Sequence, residues 1–340
     1  MRSHPEPPAA AAPSPRASSH NAPVLPGRLA PTAMFPAGRR DIRARFVPLA
    51  SGVRVRVVES GPPEGPPIFF VHGWACSVYS FRHSYTPLAA AGFRVVSADL
   101  KGHGLSDKPT VRGEYATEAM VAHVLALLDA LGLDRPVLAG HSLGGALALD
   151  VALRVPSRIA RLVLLDSVGL SESPLVRVVR LLTPRAIAPL LPRLVRRWMV
   201  PLVLRLAYGG RGHFSARDVD EYFAPTQFPE TIEALRLMAH EFTWSPVPTA
   251  RLGTLRVPTL VVFGSRDRFV GARAARRLVA SLPAARFEVV EGAGHVAPEE
   301  APDAVNRLMI DFLAAERARE RRGLSGGAGS VSACRGRSRP

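Results

Sequence analysis

Residues 140–144 read Gly140-His141-Ser142-Leu143-Gly144, directly after an apolar run at 136–139 and directly before a segment of helical period. A chain that passes from strand to helix in so few residues turns tightly enough to strain the central serine, and side chains two positions to either side would collide. Glycine at 140 and 144 removes that collision, and Gly145 adds room. Such a turn exposes the Ser142 hydroxyl and sets the next amides at the positive end of a helix dipole.

The rest of the chain repeats the strand-to-helix alternation. Runs at 67–71, 93–98, 136–139 and 161–165 are short and apolar, as central strands are, and 53–59 alternates like an antiparallel strand near a sheet edge. Two more runs lie at 259–263 and 287–290. Helical periodicity covers 80–91, 117–131, 143–155, 272–281 and 302–319. This predicts an α/β fold, a mainly parallel sheet with helices on both faces. The stretch from 168 to 255 is too long for a single crossover and predicts an inserted helical cap. The division expected is a Pro/Ala/Arg-rich tail over 1–44, a core over 45–167 and 256–315, the cap over 168–255, and over 316–340 the end of the last helix followed by an Arg/Gly/Ser-rich tail. Tails of that composition bury too little apolar surface to order themselves.

The formal net charge of +16 is concentrated at the ends, with seven Arg against two acids in residues 1–45 and again in 316–340. Arginine tails without interleaved aromatics give weak electrostatic attraction to nucleic acid and no specific recognition. Prolines interrupt the only apolar stretch of the first residues, which argues against a secretory signal, and Met34 offers a second candidate start. Cys76 and Cys334 form neither a disulfide framework nor a metal-ligand pattern, so a reducing, cytoplasmic setting is expected, with no metal and no cofactor. No run of about eighteen uncharged apolar residues exists to span a membrane.

Within the expected cap, residues 190–206 carry apolar side chains at helical spacing with Arg193, Arg196, Arg197 and Arg205 between them, and are read as one amphipathic helix bent at Pro201. Residues 175–213 hold eight Arg and no Asp or Glu. One reading packs the apolar stripe on the mouth of the site. Others are peripheral contact with an anionic membrane and attraction of an acidic substrate.

A serine needs a base before it becomes a nucleophile. His295, in Glu291-Gly292-Ala293-Gly294-His295, follows the last strand on a loop that can reach the carboxyl edge of the sheet. His295 needs a carboxylate to fix its tautomer, and Asp267, after the strand at 259–263, is the first candidate, with Asp166 as its rival. Two backbone N–H groups must face a developing oxyanion: Leu143 after the nucleophile, and Trp74 in His72-Gly73-Trp74, whose indole would help wall the pocket.

Four separated motifs, His72-Gly73-Trp74, the run from Asp99 to Pro109, the stretch from Gly140 to Gly145, and Gly294-His295 after Asp267, resemble the α/β-hydrolase superfamily in its capped, esterase-like branch. The resemblance covers about residues 45–315. It implies a sheet of about eight strands and a triad of Ser142, His295 and Asp267, with His103 and Asp107 structural and His141 a pocket wall or local hydrogen-bond partner. Haloalkane dehalogenases and soluble epoxide hydrolases of this fold carry Asp where Ser142 stands, and proline iminopeptidase relatives usually carry Trp where Leu143 stands.

The reaction expected is hydrolysis of a carboxylic ester through an acyl-enzyme. Lactone, thioester or carbon–carbon bond cleavage and cofactor-free perhydrolysis use the same triad. Trp198, Tyr208, Phe214, Tyr222, Phe223 and Trp244 of the cap point to a mainly apolar small-molecule substrate. A non-catalytic binding protein on the same scaffold is the alternative of another class, and the complete triad argues against it. The sequence is silent on oligomeric state.

Overall fold

The computed structural model describes residues 27–167, 174–270 and 272–327. Residues 1–26 of the tail expected over 1–44, the first residues of the cap, and the terminal segment 328–340 with Cys334 lie outside them.

Eight strands form one sheet: β1 (Ile42–Pro48), β2 (Arg54–Ser60), β3 (Pro67–Val71), β4 (Arg94–Ala98), β5 (Val137–His141), β6 (Arg161–Leu165), β7 (Thr259–Gly264) and β8 (Ala285–Val290). Their order is β1-β2-β4-β3-β5-β6-β7-β8. The first two pairings are antiparallel, and β3 to β8 run parallel.

Alternate residues of each central strand feed opposite faces. Phe69, Val71, Leu138, Leu162, Leu164 and Val261 pack with α2 (Thr117–Ala130) and α3 (Leu143–Arg154). Ile68, Phe70, Val163, Leu165 and Val262 pack on the other side, with Tyr85 and Leu88 of α1 (Tyr85–Ala90). Between β6 and β7 lie α4 (Pro174–Leu182), α5 (Leu191–Leu194), α6 (Met199–Ala207), α7 (Ala216–Phe223), α8 (Pro229–Glu241) and α9 (Thr249–Leu252), which form the cap. Three helices follow it: α10 (Ala272–Ser281), α11 (Ala297–Glu300) and α12 (Pro302–Gly327).

Four boundaries differ from the sequence reading. The core begins before residue 45: β1 starts at Ile42, and Met34 and Phe35 are buried. Arg43 and Arg45 hid this strand, because an edge strand can turn charges to solvent while Ile42 and Val47 point inward. The helix expected over 80–91 is a 3₁₀ turn at Val78–Phe81 followed by α1; Ser77 caps the turn through the Tyr79 N–H, and the Val78 N–H is taken by Asp99. The amphipathic helix expected over 190–206 is broken between α5 and α6 rather than bent at Pro201. The chain leaves the helix after Leu194, with Val195 extended, and restarts at Met199; Pro201 then falls in the first turn, where its ring meets no helical carbonyl four residues earlier. Finally, α12 runs past Arg319 to Gly327. Val305, Met309, Phe312 and Leu313 dock it on the core, and its first residues beyond Arg319, Glu320, Arg321 and Arg322, are good helix formers that extend a helix already nucleated.

Candidate active site

Ser142 sits between β5 and α3 with φ 53° and ψ −118°, a conformation that non-glycine residues avoid. The glycines around it are obligatory: a Cβ on Gly140 would strike the Gly144 carbonyl, and one on Gly144 the Val71 carbonyl. The Ser142 N–H is tied to the Leu165 carbonyl at 3.0 Å, which seats the turn on the neighbouring strand.

The structure brings together all three side chains of the expected triad. His295 Nε2 lies 2.9 Å from Ser142 Oγ, and His295 Nδ1 lies 2.9 Å from an Asp267 oxygen. A carboxylate only accepts, so Nδ1 carries the proton and Nε2 is free to accept from the serine. Asp267 is aimed by the Phe269 and Val270 N–H groups, which donate to its other oxygen at 2.7 and 3.1 Å. The Phe269 ring packs edge-on against the imidazole, 4.9 Å between centres. Burial lowers the pKa of His295, but the charge of Asp267, its hydrogen bond and the charge of Asp166 together outweigh it and the net shift is upward. Burial likewise raises Asp267, and pairing with His295 leaves it below the ordinary value.

Asp166, the rival acid, has φ 44° and does not touch His295. Its two oxygens accept the Gly264 N–H at 2.8 Å and the Ala297 N–H at 2.9 Å, pinning the segment that carries Asp267 to the one that follows His295. Burial, and then the neighbouring Asp267, push its carboxyl up to about 7.

The Gly73 loop that carries Trp74 runs against the serine: a Cβ on Gly73 would lie 3.1 Å from both Ser142 Cβ and His141 Nδ1, and Leu143 opens α3 directly after Ser142. Neither the Trp74 nor the Leu143 amide has an acceptor among the described residues. His72 fixes their loop, accepting the Leu100 N–H at 2.9 Å and donating to the Gly73 carbonyl at 2.9 Å. The Trp74 indole donates to the Leu235 carbonyl of α8 at 3.1 Å and meets Trp244 edge-on, so it joins core to cap. His141 Nε2 donates to the His295 carbonyl at 2.8 Å, leaving its buried Nδ1 without a partner. Asp99 and Asp107 are structural: Asp99 holds Arg56 at 2.7 Å and two amides, and Asp107 accepts the Arg54 N–H.

Of the cap aromatics, Trp244 packs beside Trp74, whereas Tyr208 and Phe214 pack on each other, and the Tyr222 hydroxyl binds Glu299. Phe223 lies buried under Arg28, and Trp198 faces solvent. A cavity of about 550 Å³ opens between α4 and the end of α8, lined by Arg180, His240, Phe242 and Trp244; no triad residue borders it. Among the described residues no cluster of His, Cys, Asp or Glu is built to hold a metal ion.

One residue escaped the sequence reading. Glu300 at the end of α11 accepts N–H bonds from Gly209, Gly210, Arg211 and Gly212 of the cap and from Gly294 beside His295, at 2.6–3.2 Å. Burial raises its pKa, but these amides hold the carboxyl below the ordinary range. The signal available was Gly209-Gly210-Arg211-Gly212, a small-residue run whose consecutive amides can curl around an anion.

The profile described as the alpha/beta hydrolase family matches residues 68–308. A 2-hydroxy-6-oxononadienedioate/2-hydroxy-6-oxononatrienedioate hydrolase of Dechloromonas aromatica is 31% identical, over 81% of this chain and 92% of that protein. A meta-cleavage product hydrolase from Pseudomonas fluorescens superposes with a TM-score of 0.69 at 23% identity, covering 80% of this chain and 98% of that one. A thermophilic esterase from Thermogutta terrifontis gives a TM-score of 0.67 at 25% identity, covering 80% and 98%. With a profile that spans most of the chain, and a serine, histidine and aspartate joined at the end of its parallel sheet, this chain belongs to the alpha/beta hydrolase family and is a hydrolase.

Proposed function

We propose that this hydrolase cleaves a carboxylic ester or related acyl compound through an acyl-enzyme on Ser142. The observation that carries this reading is the unbroken chain from Ser142 Oγ to His295 to Asp267, at 2.9 Å per step, on a serine held in strained backbone. Ser142 Oγ attacks the carbonyl carbon as its proton passes to His295 Nε2. The Trp74 and Leu143 amides take the negative oxygen. The imidazolium, steadied by Asp267, gives the proton to the leaving alcohol, and water repeats the sequence in reverse roles to release the acid. Trp74, Leu143, Phe269 and Trp244 support an apolar acyl or alcohol group.

A second reading, cleavage of a carbon–carbon bond next to a ketone, is favoured by the relative from Dechloromonas aromatica, whose substrates are dienedioates and trienedioates. Such substrates carry carboxylates that need a cation. Arg82, which reaches the cap residue Asp218, is already held by Asp218 and Glu299 at 2.8 and 2.6 Å and is not free to pair with a substrate carboxylate, and this supports the ester.

The test is turnover of p-nitrophenyl esters of increasing chain length and of a 2-hydroxy-6-oxo-dienoate by wild type and Ser142→Ala, with fluorophosphonate labelling of Ser142 read by mass spectrometry. Ester turnover and label, both lost in Ser142→Ala by about 10⁴-fold or more, are expected. Dienoate turnover exceeding every ester would establish the second reading. An unlabelled wild type with no turnover of either would overturn both.

A further inference from the structure

Helix α6 has two apolar faces. Leu204 and Ala207 are buried in a cluster with Val219 and Val296, with Val200 packed beside them. Met199, Leu202, Val203 and Leu206, spaced i, i+3, i+4, i+7, form the opposite face and are exposed. Helix α4 repeats the arrangement: Val176 is buried while Val178, Leu181 and Leu182 are 52%, 79% and 63% exposed. Trp198, just before α6, is 66% exposed. Ten of the eleven large apolar side chains left exposed among the described residues fall between Val178 and Leu206. Soluble proteins seldom leave such a concentration to water.

Charge selects what covers it. Residues 175–213 contain eight Arg and no acid. Arg197 is paired with Asp220, but Arg185, Arg193, Arg196 and Arg205 have no carboxylate partner among the described residues. An apolar helix face with Trp at its end, flanked by unpaired guanidiniums, fits the boundary between the headgroups and acyl chains of an anionic bilayer, with the arginines reaching back to phosphate. We propose that α4 and the Trp198–Leu206 stretch dock this enzyme peripherally on anionic lipid membranes. A second copy of the chain would set this segment, with eight Arg and no acid of its own, against like charges. None of the described helices is long and apolar enough to cross a membrane, so the contact is interfacial.

Co-sedimentation of the full chain with vesicles of phosphatidylcholine alone, and with added phosphatidylglycerol, tests this independently of catalysis. Binding is expected on the anionic vesicles, at least tenfold above the zwitterionic ones. Tryptophan emission should shift to the blue, because Trp198 is one of three tryptophans and the other two are already covered, Trp74 partly and Trp244 fully. Trp198→Ser with Leu202→Ser should lower partition on the order of tenfold or more. Arg193→Glu with Arg205→Glu leaves the apolar faces intact and should lower it by roughly fivefold per charge removed. The arginine-rich tails are present in every variant, so equal binding of wild type and both variants would assign the attraction to the tails and overturn the proposal. So would the absence of partition, or a dimer that Trp198→Ser converts to monomer.

Discussion

The backbone amide of His295 donates to the carbonyl of Ala207, 2.7 Å away, so the histidine of the site is held by the last residue of a cap helix. His141 Nε2 donates to the carbonyl of His295 from the core side at 2.8 Å. The imidazole is therefore set by both domains at once, and Glu300 locks the next cap residues to the same loop.

Glu300→Gln replaces one acceptor oxygen with a donor amide among N–H groups. Leaving such groups without an acceptor costs about 2–3 kcal/mol. The expected result is a lower melting temperature and a fall in kcat larger than any change in KM, because the loss loosens His295 rather than the substrate walls. Thermal melts and steady-state kinetics read the two effects separately.

Activity and stability should run in opposite directions with pH. Only the neutral imidazole takes the serine proton, so kcat/KM rises through a pKa above the ordinary 6.5 of histidine. The contribution that His295 makes to stability is complete below 6.5 and is lost as pH rises through the raised value. A pH–rate profile and melts over the same range check both slopes.

The two aspartates separate by substitution. Asp267→Asn removes the charge that orients His295 and should lower kcat/KM by about 10³- to 10⁴-fold while moving the pH midpoint down. Asp166→Asn keeps one acceptor for the amides of Gly264 and Ala297, and is expected to cost about 1–3 kcal/mol of stability with activity within about tenfold of wild type. Equal losses of activity would contradict this division.

Gly144→Ala would drive a methyl into the Val71 carbonyl, which belongs to a central strand and cannot yield. Destabilisation above about 4 kcal/mol, or failure to fold, is expected. Leu202→Ala, on an exposed face of α6, should change stability by less than about 0.5 kcal/mol. Chemical denaturation of both variants measures the contrast.

The triad was legible because each member sits where a parallel sheet exposes it, at a strand end whose apolar run and glycines are local signals. The same reasoning found seven of the eight strands. It missed β1, where the inward residues Ile42 and Val47 are separated by arginines. It merged α5 and α6, since periodicity alone does not register that Pro201 dictates where a helix begins. Glu300 was missed for a different reason. Four of its partners are backbone amides at 209–212, about ninety residues away, so the glycine run there signals a place for an anion without saying which carboxylate fills it.

The Glu300 clamp also fixes where this protein can be cut and rejoined. A chimera that imports a relative's cap at the strand ends would bring foreign residues to positions 207–212 and put at risk four of the five amides that hold Glu300, leaving only that of Gly294 native. A graft that stops before Ala207 keeps the seam native, so substrate walls can be exchanged while the histidine stays in register.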